Sequence, residues 1–497
     1  MFEKVVPEQV GVSSQNIKEY VEHLEKHGFA THSIVMVRHG KVFYEAYWAP
    51  FHREFKHRIY SDSKSYVSLA IGFLAQDGLI DLEQPVVSYF DKSITEGACE
   101  NVKKQTVKDM LMMRTGFPAD RENWFGAQPQ NRLKWYFETS QNGKALKVPG
   151  TLYYYDSSGS FVLGALVEAV TGKSFDEYMH EKLYSQIGVA SDTYTLKCPG
   201  GNAWGDSGIM ISAIDQAKVM MFVMNNGKWC GKQILDEHYV KTACSALSDN
   251  SPLFGESPDK HGYGYQIWRT RDNGIMFNGM ASQFAVAVPE KDLVFVINSD
   301  NHGTEDYARR EILNGFFDVI VNRIDVSELP ENSMGFKALC DYSEHLHLYS
   351  LRGSEDQEFV QKINGKQFIM KENPMGITKI KFTFNGDEGT MHYTNAQGDK
   401  KLNFAMNRNA FGVFPQEGYA DMVGNVYTPN HYYKCAASAK ILDKNSMAVL
   451  VQIIDKYFGK LCMKFGFTDE GDVSVIMERY AEHFMNEYIG WASGTIV

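Results

Sequence analysis

The sequence predicts an α+β domain followed by an all-β domain, a barrel or a sandwich. Three observations carry this. Apolar strand-like runs stand at both ends of the first 325 residues and helical patterns fill the middle, as when terminal segments share one antiparallel sheet. The stretch DVSELPENSMGFK then has linker character, which places a linker at 326–337. Beyond it, short alternating strands and turn clusters take over. The expected domains are therefore 1–325 and 338–497.

The elements follow in chain order. Ser33–Arg38 and Lys41–Tyr47 flank His39-Gly40 and read as a β-hairpin. Residues 62–76 read as a helix stopped at Gly78. Residues 105–115 read as a second helix, ended at Gly116. Gly159–Val170 has a helical apolar pattern closed by Gly172. Ser212–Asn225 is an amphipathic helix ending at Asn226-Gly227. Gln283–Val288 and Leu293–Asn298 are strands joined by Pro289-Glu290-Lys291-Asp292, and 304–324 is a closing helix. In the second domain Ile380, Phe382 and Phe384 alternate with polar residues. Turn clusters stand at Asn385-Gly386-Asp387, Asn395–Gly398 and Thr468–Gly471.

Composition bounds the function. The chain of 497 residues is 44% hydrophobic and 22% charged, with 27 Tyr and 31 Phe, as in an ordinary globular protein. A formal charge of −11 argues against a nucleic-acid partner, which needs a cationic surface. The seven scattered cysteines include no Cys-x-x-Cys, and there is no zinc spacing and no His-Glu-x-x-His. Free thiols in a reducing compartment are expected. The first residues lack a signal-peptide layout, and no apolar stretch is long enough to span a bilayer. A cytoplasmic protein without membrane insertion is the expectation.

The chemistry centres on YSDSKSYVSLAIGFL, where Ser61 stands three residues before Lys64. Residues three apart on a helix share a face, so the two can touch. Val67, Leu69, Ala70, Ile71, Phe73 and Leu74 make the helix apolar on almost every side, and so buried. Desolvation and the positive end of the helix dipole both favour a neutral amine at Lys64. A neutral lysine beside a hydroxyl is a usable base. The plainer reading is that Ser61 caps the helix and Lys64 snorkels to solvent. A second Ser-x-x-Lys, Ser257–Lys260, lies in a Gly/Pro-rich stretch and reads as a chance match.

Two downstream segments offer partners. In PGTLYYYDSSGSFVLG, Tyr155-Asp156-Ser157 lies between a Pro-Gly turn and a helix start. A tyrosine beside a cationic lysine is drawn toward phenolate and can act as a base; aromatic packing is the competing reading. In FNGMASQFAVAVP, Gly279-Met280-Ala281 precede an apolar strand. Glycine admits a close backbone approach, and an N–H there can complete an oxyanion hole. Alone, the segment reads as a turn.

Together these segments resemble the serine β-lactamase-like hydrolase family: class C β-lactamases, penicillin-binding proteins, D-peptidases, 6-aminohexanoate-dimer hydrolase and related esterases. The family-like stretches are YSDSKSYVSLAIGFL, DMLMMRTGFPAD, PGTLYYYDSSGSFVLGALVEAVTG, GDSGIMISAIDQAKVMMFVMNNGKWCGKQIL and SQFAVAVPEKDLVFVINS, in family order over about residues 5–325. The resemblance implies a β-lactamase/transpeptidase-like domain, with an antiparallel sheet, helices on both faces and a helical subdomain. It implies Ser61 as nucleophile, Lys64 as its base partner, Tyr155 at the tyrosine of the Tyr-x-Asn motif, and the backbone N–H groups of Ser61 and Met280 as oxyanion hole. Ser157, Gly279 and Ala281 would line the substrate.

Two departures qualify it. Ser157 replaces the family asparagine, and neither Lys-Thr-Gly nor His-x-Gly occurs anywhere in the chain. Gly279–Gln283 resembles instead the Gly-x-x-Gly-Gln variant of the amide-hydrolase and esterase branch. β-Lactam hydrolysis is thereby ranked below hydrolysis of a small ester, amide or peptide. The expected function is a serine hydrolase working through an acyl-enzyme, with a small-molecule substrate and neither metal nor organic cofactor. The rival is a penicillin-binding-type binder or sensor that acylates slowly or not at all; a metal-dependent hydrolase ranks third. The sequence leaves the oligomeric state open.

Overall fold

The strand Thr31–Arg38 pairs with its neighbour Lys41–Tyr47 and, on its other side, with the distant Leu293–Ser299. In the computed structural model, which describes residues 2–118, 124, 129–141, 147–354, 356–420 and 427–497, this joins the two ends of a first unit, Met1–His347. The hairpin turn requires left-handed backbone at His39 (φ 53°) and Gly40 (φ 71°), the geometry whose twist matches the strands. The full sheet runs Glu3–Lys4, Lys41–Tyr47, Thr31–Arg38, Leu293–Ser299, Gln283–Val288, Ile275–Gly279, Trp268–Arg269. All pairings are antiparallel except the first.

Its central strands are buried along their whole length because helices cover both faces. Ile34, Met36, Phe284, Val286, Phe295 and Ile297 meet Ile17, Tyr20, Leu24, Ile312 and Phe316 in one core, from helices Ser14–Lys26 and Glu305–Gly315 and the turn after it. Alternation sends Val35, Ala285, Ala287, Val294 and Val296 to the opposite face. There helix Ala213–Met224 packs on the three central strands. The small side chains of Ala285 and Ala287 suit that close approach.

The expected helices form with revised ends. Helix Val107–Leu111 starts from a Thr106–Asp109 capping box and stops earlier than the expected 105–115. Met113 takes left-handed backbone (φ 57°), which breaks the helical ladder. Ala119 and Asp120, at the end of that family-like stretch, lie outside the described residues. Helix Ser157–Thr171 is closed by Gly172 (φ 67°). The closing helix is α only over Glu305–Gly315, then changes pitch. The first unit also extends past residue 325. Helix Ser333–Ser343 begins inside the expected linker and packs on helix Ser14–Lys26, and Leu339 and Leu346 join the core.

The second unit is Leu348–Val497. Its strands hydrogen-bond in the order Gly398–Met406, Glu388–Asn395, Lys379–Asn385, Gln367–Met370, Gly490–Ile496, Asp472–Ala481, Phe458–Phe467, Ser446–Ile454, Lys434–Asp443. Pairing of Gly398–Met406 with Lys434–Asp443 closes these nine described strands into a barrel, and a tenth, Ala410–Val413, pairs beside Lys434–Asp443. The three turn clusters fall at hairpins of this barrel. Among the described residues no helix is long and apolar enough to cross a membrane.

Candidate active site

Ser61 lies in a tight turn, Tyr60–Asp62, that runs directly into helix Ser63–Gln76. Every residue from Ser63 to Leu74 is buried, while Ser61 is half-buried and keeps access. The helix's serines find partners, as burial demands: Ser63 Oγ accepts from Ile209 N–H, and Ser65 Oγ donates to the Gln266 carbonyl. Lys64 is 1% exposed. Its Nζ lies 2.9 Å from Ser61 Oγ and donates to the Asp206 carbonyl at 2.7 Å. Snorkelling is thus contradicted: the amine is turned inward and held by two partners. Ser257–Lys260 forms no helix, and its serine bonds to Asp259 instead.

The turn itself is strained and braced. Tyr60 adopts φ 50°, a left-handed conformation that costs a non-glycine residue about 1–2 kcal/mol. The buried Arg58 guanidinium sits 4.2 Å from the Tyr60 ring and 4.1 Å from the Trp204 ring, stacked between them. It also donates to Ser207, so the Asp206 segment and the Tyr60 turn are tied through one side chain. Burial pushes the Asp206 carboxyl up from its ordinary range, opposed by Lys64 and Arg132. Asp62 is buried with neither carboxyl oxygen hydrogen-bonded, and burial drives its pKa well up. Burial thus favours the protonated form of this carboxyl, in the same turn as Ser61.

Tyr155 is half-buried, with its ring centroid 5.2 Å from Lys64 Nζ. Tyr154 is exposed, and Tyr153 packs on Tyr263 at 5.3 Å. Of the three tyrosines, it is Tyr155 whose ring meets Lys64. It packs on Trp268 (5.5 Å), which packs on Tyr263 (5.2 Å), so an aromatic wall flanks the amine. Asp156 caps helix Ser157–Thr171 by accepting from Ser158 N–H, which sets Ser157 as the first helical residue, half-buried.

Gly279, Met280 and Ala281 enter a three-residue hairpin loop, since Gly279 pairs with Gln283. Ala281 (φ 60°) and Ser282 (φ 73°) are left-handed, which turns the chain within three residues. Gly279 is needed for space: a Cβ there would stand 2.2 Å from the Ile59 carbonyl, two residues before Ser61. The Met280 turn is thus pressed against the Ser61 turn. It is also pinned, because Gln283 Nε2 donates to the Met280 and Ser299 carbonyls and Asn301 N–H donates to the Ala281 carbonyl.

Sequence reading placed Gln283 in the Gly-x-x-Gly-Gln variant but missed Asp206, Arg58 and Gln266. Gln266 accepts from Ser160 Oγ through Oε1, donates to the Met110 carbonyl through Nε2, and receives Ser65 at its own carbonyl. It joins the Lys64 helix, the helix after Tyr155 and helix Val107–Leu111. Most of these bonds use backbone atoms or distant residues, so no local motif announces them.

Against known proteins, the family model "Beta-lactamase" matches residues 14–316. Protein flp of Staphylococcus aureus (strain N315) is 28% identical over 180 residues, 34% of this chain and 35% of that protein. The 6-aminohexanoate-dimer hydrolase of Paenarthrobacter ureafaciens is 23% identical over 234 residues, 44% of this chain and 58% of that protein. The matches to these curated relatives span between a third and three fifths of their lengths. The solved structure of EstCE1, a hydrolase with promiscuous acyltransferase activity, superposes with a TM-score of 0.50 at 15% identity. It covers 61% of this chain and 99% of EstCE1.

Proposed function

The chain belongs to the beta-lactamase family, and on that premise we propose that it is a serine hydrolase acting through an acyl-enzyme on a small ester or amide. The observation that carries this reading is the buried Lys64 amine 2.9 Å from the Ser61 hydroxyl. Held by the Asp206 carbonyl and in contact with Ser61 Oγ, Lys64 is the base partner that takes the Ser61 proton. Ser61 Oγ then attacks the acyl carbon, and the N–H groups of Ser61 and Met280 hold the oxyanion. Tyr155 relays the proton to the leaving group, and water releases the acyl group along the reverse path.

The preference for esters and amides over β-lactams rests on the Gly279–Ser282 turn, which carries no charged side chain. A substrate carboxylate meets no cation there. The half-buried rings of Tyr155 and Trp268, packed on each other, suit an apolar acyl or leaving group. The names of the 6-aminohexanoate-dimer hydrolase and EstCE1 point the same way.

Steady-state kinetics with p-nitrophenyl acetate, backed by a panel of linear amides, D-peptides and a chromogenic cephalosporin, tests this. Sustained turnover of an ester or amide, lost in Ser61→Ala, is expected. A single stoichiometric burst would favour the acylating binder, and activity that survives Ser61→Ala would overturn the reading.

A further inference from the structure

The last turn of helix Ser14–Lys26 and the cap that follows carry His23 and His27. Four residues apart, they share one face, and their ring centroids are 4.4 Å apart. Glu311, on helix Glu305–Gly315, faces them. One ligand atom from each of the three lies within 4.8 Å of the other two. His23 Nε2 is shut off from solvent, and no hydrogen bond of ordinary geometry reaches it. Such an unmet buried group asks for a partner.

His27 is already oriented. One ring nitrogen, Nδ1, lies 2.6 Å from the Tyr307 hydroxyl, and the ring stacks on Phe29 (5.4 Å, 14°). An outer contact of this kind fixes tautomer and direction in a ligating histidine and leaves the other nitrogen to bind.

We propose that His23, His27 and Glu311 form a binding site for a divalent transition-metal ion of zinc's class that clamps the first long helix of the unit to helix Glu305–Gly315. Two imidazoles and one carboxylate suit zinc, with water at the fourth position. Bonds of about 2.0–2.2 Å place the ligand atoms of a tetrahedral ion roughly 3.4 Å apart. Capture therefore draws the trio together by at most about 1.4 Å, within the reach of side-chain rotation. Both helices lie on the sheet face opposite helix Ala213–Met224, so the ion acts on stability and not on acyl chemistry.

The full chain, stripped with EDTA, is titrated with Zn²⁺ by calorimetry, and its thermal midpoint is followed with and without Zn²⁺. One ion per chain and a raised midpoint are expected in wild type. His27→Ala and Glu311→Gln lose both; Tyr307→Phe weakens binding about 10- to 100-fold. Glu311 is only half-buried, so Glu311→Gln keeps the fold, and circular dichroism checks it. Because the seven cysteines are free thiols, Co²⁺ is titrated as well and should show no thiolate charge-transfer band. Wild type that binds no stoichiometric zinc, variants that bind as tightly as wild type, or a thiolate band would each overturn the proposal.

Discussion

The sharpest conflict at the residue scale is Asp62, a carboxyl buried in the Ser61 turn with neither oxygen paired. Its folded pKa is raised by burial, so the unfolded chain binds fewer protons than the native one above the ordinary carboxylate range. Stability from this group is present at low pH and lost as pH rises. Asp62→Asn should therefore be more stable than wild type at pH 7, with the gap closing as pH falls toward 4; denaturant midpoints at both pH values check this. A gap of the same size at both values would contradict it. Gly279 makes a second residue-scale prediction. A methyl group there meets the Ile59 carbonyl and pushes the Met280 N–H off its mark. If the Met280 N–H is the proposed oxyanion donor, Gly279→Ala should cut the acylation rate about 10²- to 10³-fold, and rapid-quench kinetics reads it. The Ser61–Lys64 contact was legible in the sequence because helical spacing is local. The Asp206 carbonyl that turns the lysine inward was not, since backbone acceptors leave no mark in side-chain patterns.

Between elements, Gln266 is the tie. Gln266→Ala removes its hydrogen bonds to Ser160 Oγ and the Met110 carbonyl, which keep Asp156 and Met113 as partners, so each lost bond costs about 0.5–1.5 kcal/mol. The denaturant midpoint should fall accordingly, and a change under about 1 kcal/mol would show that water replaces the side chain. A second tie is the histidine pair under the Tyr60 turn. His57 Nδ1 donates to the Arg58 carbonyl and so accepts from His32 Nδ1–H at its other nitrogen. Burial, the largest cause, lowers the His57 pKa from 6.5 to about 4. The unfolded state takes up this proton first, so stability falls as pH drops from 6.5 to 4, by at most about 3 kcal/mol. His57→Asn should flatten that part of the stability–pH curve; an unchanged slope would contradict the assignment. The periodic helices and the hairpins could be read from the chain, because apolar spacing and glycine punctuation are strong there. The early end of the helix at Leu111 could not, because Met113 takes a conformation that its side chain does not advertise.

On the scale of the whole molecule, the residues proposed for catalysis all belong to Met1–His347. The two-unit plan was legible from the change of pattern near residue 330. The boundary was not, because the linker-like stretch around Pro330 leads into helix Ser333–Ser343, whose Leu339 joins the core. A chain cut after residue 347 should therefore melt higher than one cut after residue 325, which loses Leu339 and Leu346 from the core; equal midpoints would contradict this. The central claim is that Ser61 is the acylated nucleophile of this family member. Labelling with a fluorophosphonate probe, followed by mass spectrometry of the digested protein, tests it most directly. One adduct is expected, on the peptide holding Ser61, absent from Ser61→Ala and strongly slowed in Lys64→Ala. Equal labelling of wild type and Ser61→Ala, or an adduct on another residue, would contradict it.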